Sequence, residues 1–568
     1  MSINVTRREF IKSAAAAAVG MSGPGLLRAA SGSVKEFDLV IREGAVYDGR
    51  GGAGVKADVG IAGDTIRAVG RIPAERAAAV VEAKGLAVCP GFIDLHAHTD
   101  IELLVNPKAE SSVRQGITTI ISGNCGGSGC TVPDAVYEET VATLKEVYGL
   151  DLTWRDIKGF LGRLQQSGVA INYSTLVGHG DVRGTVIGYG DRAPTSKELE
   201  TMAALVRQNL LDGAAGLSSG LEYTPGSFAG SDELVALCRV VAGMGGVYAT
   251  HMRDEGDQLI EAIDETIGVA RQSGVSVQIS HLKTAYPRNW SKIDISLARI
   301  ESAHRDGVKI FCDRYPYIAG ATGLSYYFPQ WAREGTTEDF IKRLQDRVRE
   351  AEIREHLAEA EKSLGSWDKV LISDVVTEKN RPIEGKNILE AASAAGKEPY
   401  AFMRDLLIEE KGRVGMIIFI ANEENLKKIL AHPLVSVGTD GTALAPYGPL
   451  GQSKPHPRHY GTFPRVLGKY VREEKIVPLE TMIRKMTSAA AEKFHFEKRG
   501  LVEPGCFADL VVFDPEKVID RATWVDPHQY PSGIEYVLVN GQVVVERGEH
   551  TGRLPGRILR PLAKAAKS

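Results

Sequence analysis

The sequence predicts an α/β fold: a (β/α)8 TIM-type barrel, a small discontinuous β-sandwich domain, and an insertion between barrel strands seven and eight. Three observations predict it. Short apolar runs alternate with helical stretches in GFIDLHAH, TTIISGNCG, NYSTLVGHG, AAGLSSGLEY, GVYATHMR, VQISHLK, VKIFCDRYPY and VSVGTDG. Strands separated by helices are parallel β-α units, and these make the full set a barrel needs. FDLVIREGAVYDGRG and ADVGIAGDTIRAVG precede this array, and FADLVVFDP and YVLVNGQVVVERG follow it. Their apolar-polar alternation is that of half-buried antiparallel strands, and the Asn-Gly of the last segment suits a tight hairpin turn. Lastly, about 120 residues separate the seventh and eighth strands, far more than an ordinary connection.

Taken in order, residues 1–33 form a leader, 34–89 the first part of the β domain, 90–490 the barrel and 491–568 the rest of the β domain. The insertion occupies about 330–430, where AEIREHLAEAEKSLG reads as helix, and it lies over the barrel mouth. In the leader, Thr6-Arg7-Arg8-Glu9-Phe10-Ile11-Lys12 precedes Ser13, an alanine run and a mildly apolar stretch to Leu27. It resembles a bacterial twin-arginine export signal, which implies a periplasmic or secreted protein. Its apolar part falls short of the roughly 20 residues of a spanning helix, so no stable membrane insertion is expected. Twin-arginine export moves folded proteins, which suits a chain that acquires a metal before crossing.

At 568 residues and 43% hydrophobic, the chain can bury the core of more than one domain. Its formal net charge is −4 and no long Lys/Arg block stands out, which excludes an electrostatic footprint for nucleic acid. A small-molecule partner is expected; oligomeric state is not legible. Cys89, Cys125, Cys130, Cys238, Cys312 and Cys506 are scattered without close spacing, and no disulfide framework is expected.

Chemistry concentrates at the carboxyl ends of the barrel strands. His96 and His98 alternate in GFIDLHAHTD, so on an extended strand both imidazoles point to one face. Cys125, His251, His281 and Asp440 close the second, fifth, sixth and eighth strands. A lone histidine or cysteine at such a place is more often a packed core residue. All of these donors at equivalent strand ends share one rim, where barrel chemistry is expected. Thiolate, imidazole and carboxylate are the donors zinc prefers, and a catalytic site keeps one position open for water. Zinc acidifies that water to a pKa of about 7 and polarises a carbonyl, which is the equipment of a hydrolase.

GFIDLHAHTD, SGNCGG, THMRDEG, ISHLK, VGTDG and HPRHYGTFPRVLGKY together resemble the amidohydrolase superfamily, specifically its D-aminoacylase (N-acyl-D-amino-acid deacylase) family. The resemblance runs from about residue 36 to 560 and includes RGLVEPGCFADLVVFDP and TGRLPGRILR. It implies zinc-dependent hydrolysis of N-acyl-D-amino acids. It also implies a tight zinc on Cys125, His251 and His281, and a weaker neighbouring metal site on His96, His98 and Asp440, with Cys125 able to bridge. Asp440 is implied as general base, and Arg458, Lys283 and Tyr315 as the holders of the substrate α-carboxylate, with Tyr223 lining the site.

Two departures from the family pattern bear on the substrate. Gly320 is followed by Ala321 and Thr322 where the family has a glycine-serine step, so one hydroxyl contact is moved or missing. TALAPYGPLGQSKPHP, between Asp440 and Arg458, is longer than in simple members and leaves the position of Arg458 open. A cyclic-amide hydrolase of the dihydroorotase or hydantoinase kind is the enzymatic alternative. Those relatives usually bridge two metals with a carboxylated lysine on strand four, whereas GAAGLSSGLEY has none. An exported binding protein without catalysis is the second alternative, disfavoured because no ligand is missing.

Overall fold

The computed structural model describes residues 35–562. The twin-arginine stretch lies outside them. Both ends of the described chain meet in one nine-stranded mixed sheet. Leu510–Phe513 pairs antiparallel with Ala87–Pro90, Leu510 opposite Pro90 and Phe513 opposite Ala87, which ties the carboxyl-terminal strands to the amino-terminal ones. Phe37–Val46 pairs antiparallel with Val55–Ala62 and parallel with Ala77–Glu82.

The barrel strands are Phe92–Asp94, Ile117–Ser122, Asn172–Thr175 continued by Val177–Gly178, Gly216–Gly220, Val247–His251, Ser276–Ile279, Ile310–Arg314 and Val435–Val437. All neighbouring pairs are parallel. Closure between the last and first strands comes just past their ends, where Asp440 N donates to His96 O and His98 N to Gly441 O, both at 2.7 Å. These strands are buried on both faces, which is why they read as continuous apolar runs rather than alternating ones.

Amphipathic helices cover the outside. Helix Ser196–Asp212 begins in a capping box between Thr195 and Glu198 and buries Met202, Val206, Asn209 and Leu210, one stripe at helical spacing. Within the barrel, Leu95, Ile121, Leu176, Ala249 and Phe311 share a cluster with Ala490, Ala491, Phe494 and Phe496. The segment after residue 487 therefore plugs the barrel, and the carboxyl-terminal sheet strands begin only at Leu510. Phe92 stacks on Phe463 at 5.4 Å and meets Phe513 at 6.5 Å, joining the barrel core to the sheet domain.

The insertion differs from its expected bounds and content. Ala319–Gly323, Gly415–Phe419 and Val370–Asp374 form a three-stranded antiparallel sheet, with helices Thr337–Gln345, Glu350–Leu364, Ile388–Ala394 and Pro399–Glu409 between them. It begins near Ala319 rather than 330 and ends at Phe419; helix Glu423–Ala431 packs on the eighth barrel strand instead. The strand AGATG carries little β propensity of its own and takes its conformation from pairing with GMIIF. The insertion has its own core around Phe328, Leu357, Trp367, Met403 and Met416. No described helix is long and apolar enough to cross a membrane, and no two cysteines are bonded.

Candidate metal centre and active site

The donors at the strand ends converge. His96, His98, Cys125 and Asp440 form one group, and Cys125, His251 and His281 another; within each, the donor atoms lie within 4.8 Å of one another. Cys125 belongs to both. Its Sγ is 3.4 Å from His96 Nε2 and 3.5 Å from His281 Nε2. Asp440 Oδ1 is 3.0 Å from His98 Nε2 and 3.4 Å from His96 Nε2.

The backbone is bent to aim these groups. Cys125, His281 and Asp440 have φ of +52°, +35° and +49°. Left-handed conformations cost a non-glycine residue about 1–3 kcal/mol, and they persist where surrounding contacts over-determine them. Around Cys125, Gly126 N donates to Ser218 Oγ at 3.1 Å and Gly180 N to Gly126 O at 2.8 Å. A Cβ on Gly126 would stand 2.5 Å from Gly220 N, so only glycine lets this loop lie against the fourth strand. Beside Asp440, a Cβ on Gly438 would meet His96 Cβ at 2.7 Å.

A carboxylate stands behind each of three imidazoles. Both oxygens of Asp313 are 3.1 Å from His96 Nδ1. Glu255 Oε1 is 2.9 Å from His281 Nδ1, and Glu222 Oε2 is 3.0 Å from His251 Nε2. Such a partner holds the proton on one ring nitrogen and leaves the other as a ligand lone pair. For His251 that other atom, Nδ1, is buried and has no hydrogen-bond partner.

Burial raises the Cys125 thiol, but the imidazoles of His96 and His281 outweigh it and hold the group well below the usual thiol range. Asp440 behaves alike: burial opposes its charge, yet Arg458, His281 and His96 keep the carboxyl well below its ordinary value. A cysteine thiol, imidazoles and a carboxylate are a zinc donor set, in which a bound cation would take the place of the protons these groups share, and the orphaned His251 nitrogen is the kind of group a bound cation satisfies.

A cavity of about 380 Å³ opens onto these donors. His98, Cys125, His251, His281, Asp440, Arg458, Lys283, Tyr315 and Tyr223 all line it. His96 does not; it is fully buried and reaches the site through Cys125 and Asp440. Arg458 Nη1 donates to Asp440 Oδ2 at 2.7 Å, and its guanidinium lies 4.9 Å over the Tyr315 ring. The long segment before Arg458 therefore still delivers it to the site. Lys283 Nζ donates to Glu255 at 2.5 and 2.6 Å, and Glu255 and the neighbouring tyrosine raise its ammonium pKa against burial. The Tyr223 ring packs 4.8 Å from that of His251. Thr322 places its hydroxyl in the cavity after all, where Oγ1 donates to the Tyr223 oxygen at 3.3 Å.

Sequence reasoning missed Glu222, Glu255 and Asp313. All three lie inside the strand and motif runs AAGLSSGLEY, THMRDEG and VKIFCDRYPY, which is the signal that could have found them. No spacing rule pairs them with their histidines, which are 29, 26 and 217 residues away.

A closed β/α barrel whose strand ends gather His, Cys and Asp donors beside a cavity lined by two buried cations is the layout of a metal-assisted hydrolase. The amidohydrolase family model matches residues 79–545, and the chain belongs to that family, in its D-aminoacylase branch. It is 35% identical to the D-aminoacylase of Alcaligenes xylosoxydans xylosoxydans, over 92% of this chain and 97% of that one. It is also 35% identical to the N-acyl-D-glutamate deacylase of the same organism, over 94% of this chain and 98% of that one. Among solved structures, the N-acyl-D-glutamate deacylase of Bordetella bronchiseptica, complexed with zinc and a phosphonate mimic of the tetrahedral intermediate, matches with a TM-score of 0.78. Identity there is 33%, covering 92% of this chain and 99% of that one.

Proposed function

We propose that this chain hydrolyses the amide bond of N-acyl-D-amino acids, releasing a carboxylate and a free D-amino acid, with zinc as its metal. The observation that carries the reading is the convergence of Cys125, His251 and His281 on a cavity that also holds Arg458, Lys283 and Tyr315. Cys125, His251 and His281 would hold the tight zinc, and His96, His98 and Asp440 would make the weaker neighbouring site, with Cys125 within reach of both donor groups. Zinc held there supplies Lewis acidity, which acidifies water and polarises a carbonyl.

The protein's own groups do the rest. Asp440, kept as a carboxylate, takes the proton of the attacking water and returns it to the departing nitrogen. Arg458 presents a planar fork that pairs bidentately with the substrate α-carboxylate, beside Lys283 and Tyr315. Tyr223, braced by Thr322, lines the wall next to His251. The D series is supported by the names of the relatives. A cyclic-amide hydrolase fits less well, because the fourth strand, Gly216–Gly220, offers no lysine and Cys125 stands between the two donor groups instead. The Arg7-Arg8 leader supports export of the folded, metal-loaded chain to the periplasm or beyond.

The decisive experiment is an assay of zinc-loaded protein against paired N-acetyl-D- and N-acetyl-L-amino acids, with metal content measured on the same sample. Turnover confined to the D series is expected. Preference for the L series, or cleavage of hydantoin or dihydroorotate in place of linear amides, overturns the reading.

A further inference from the structure

Two relatives at the same 35% identity carry different names, one a D-aminoacylase and the other an N-acyl-D-glutamate deacylase. Similarity therefore does not choose the side chain of the substrate. The charges on the cavity wall do. An acidic side chain needs a cation of its own, besides those that hold the α-carboxylate.

The cavity wall has two Lys or Arg side chains, Lys283 and Arg458. Both are committed: Lys283 to Glu255 and Arg458 to Asp440, and both again to the α-carboxylate. The remaining charged wall is acidic, namely Glu222, Asp254 and Asp257. Asp257 is matched by Arg288, whose Nε donates to it at 2.7 Å. Asp254 accepts Gly256 N at 2.7 Å and Gln258 N at 3.0 Å, both on Oδ1, and no described Lys or Arg is within ion-pair distance of it. Glu222 is hydrogen-bonded to the imidazole of His251 and also feels the charge of Arg333. Arg333 donates to Glu222 O at 3.3 Å and to Phe328 O at 3.0 Å in an adjoining cavity that Glu222 also lines, and its guanidinium offsets the Glu222 charge, which leaves Asp254 as the wall carboxylate with no Lys or Arg beside it. The uncharged wall includes Tyr286, Tyr326, Ile418 and Ile420.

We propose that this cavity excludes acidic side chains, so that the substrate is an N-acyl-D-amino acid with a neutral or cationic side chain, and that Asp254 is the excluding charge. The proposal rests on the deacylase reading above. A further carboxylate placed beside one that lacks a Lys or Arg partner is repelled in a partly desolvated cavity, which is discrimination by an unfavourable contact with the wrong substrate.

The test compares kcat/KM of the zinc-loaded protein for N-acetyl-D-glutamine and N-acetyl-D-glutamate, which share shape and differ in charge. Glutamine is expected to win by roughly 100-fold, with N-acetyl-D-lysine also accepted. Asp254→Asn keeps the Oδ1 acceptor and removes the charge, so the glutamine-to-glutamate ratio should narrow roughly tenfold. Glutamate cleaved as well as glutamine overturns the proposal while leaving the deacylase reading intact. An unchanged ratio in Asp254→Asn overturns it as well, by removing that carboxylate from the discrimination. Failure to cleave any N-acetyl-D-amino acid defeats the deacylase reading itself, and this inference with it.

Discussion

The two ends of the same eight strands bury charge in opposite ways. At the carboxyl ends, acids, imidazoles and cations stand in contact: Arg458 on Asp440, Glu255 between Lys283 and His281, Asp313 on His96. There burial loses, and the Cys125 thiol and the Asp440 carboxyl are held well below their ordinary pKa ranges. At the amino ends the barrel is plugged by Phe311, Phe494 and Phe496, and two lysines sit among neutral acceptors. Lys485 Nζ donates to His432 O at 2.8 Å; Lys493 Nζ donates to Ser436 Oγ at 2.7 Å and lies 4.5 Å over the Phe311 ring. Here burial wins. It drives Lys485 down to about 7, helped by the like charge of Lys493, and Lys493 down to about 8. A buried charge is favoured where an opposite charge touches it, and disfavoured where its direct contacts are only dipoles.

The sharpest break of this contrast is Asp440→Asn. It removes the acid-base group and leaves Cys125, His251 and His281 in place, so turnover should fall by about 10²–10⁴-fold while one zinc per chain is retained. Rate measurement beside metal analysis checks it; near-native turnover would remove Asp440 from the mechanism. Next in size is Glu222→Ala, which frees His251 Nε2 and should weaken zinc binding about 10–100-fold in a chelator competition. Glu222→Gln, which keeps an acceptor for the ring N–H, should fall between the two. Equal affinity in all three proteins would mean that Glu222 does not orient His251.

The smallest effect belongs to the other end. An unfolded Lys485 keeps its proton to its ordinary value of 10.5, whereas the folded one releases it above about 7. Between these limits the unfolded state binds more protons, so stability rises with pH, at up to about 1.4 kcal/mol per pH unit for one such group. Lys485→Met should flatten that rise in denaturant unfolding followed from pH 7 to 10. A slope identical to that of the parent would show that Lys485 is not its source.

Much of the molecule is legible in the chain. The strand runs, the place of the insertion and the donors at the strand ends are written in local pattern, because a parallel strand buried on both faces must be apolar until it reaches the rim. The insertion's sheet was not legible, since AGATG becomes a strand only against GMIIF. Nor were the partners of the histidines, since Glu222, Glu255 and Asp313 differ from any other strand-end acid only in what the closed barrel sets beside them.

By itself, then, the sequence determined the kind of chemistry: which donors exist, at which strand ends, and which cations, Lys283 and Arg458, stand further along. Tertiary structure alone decided which nitrogen of His251 is left free, that Thr322 turns to Tyr223, and that Asp254 faces the cavity with no Lys or Arg partner. The physical reason is one of range. Strand periodicity acts over a few residues, whereas charge pairing and proton placement depend on atoms about 3 Å apart in space that folding brings together from hundreds of residues apart in the chain.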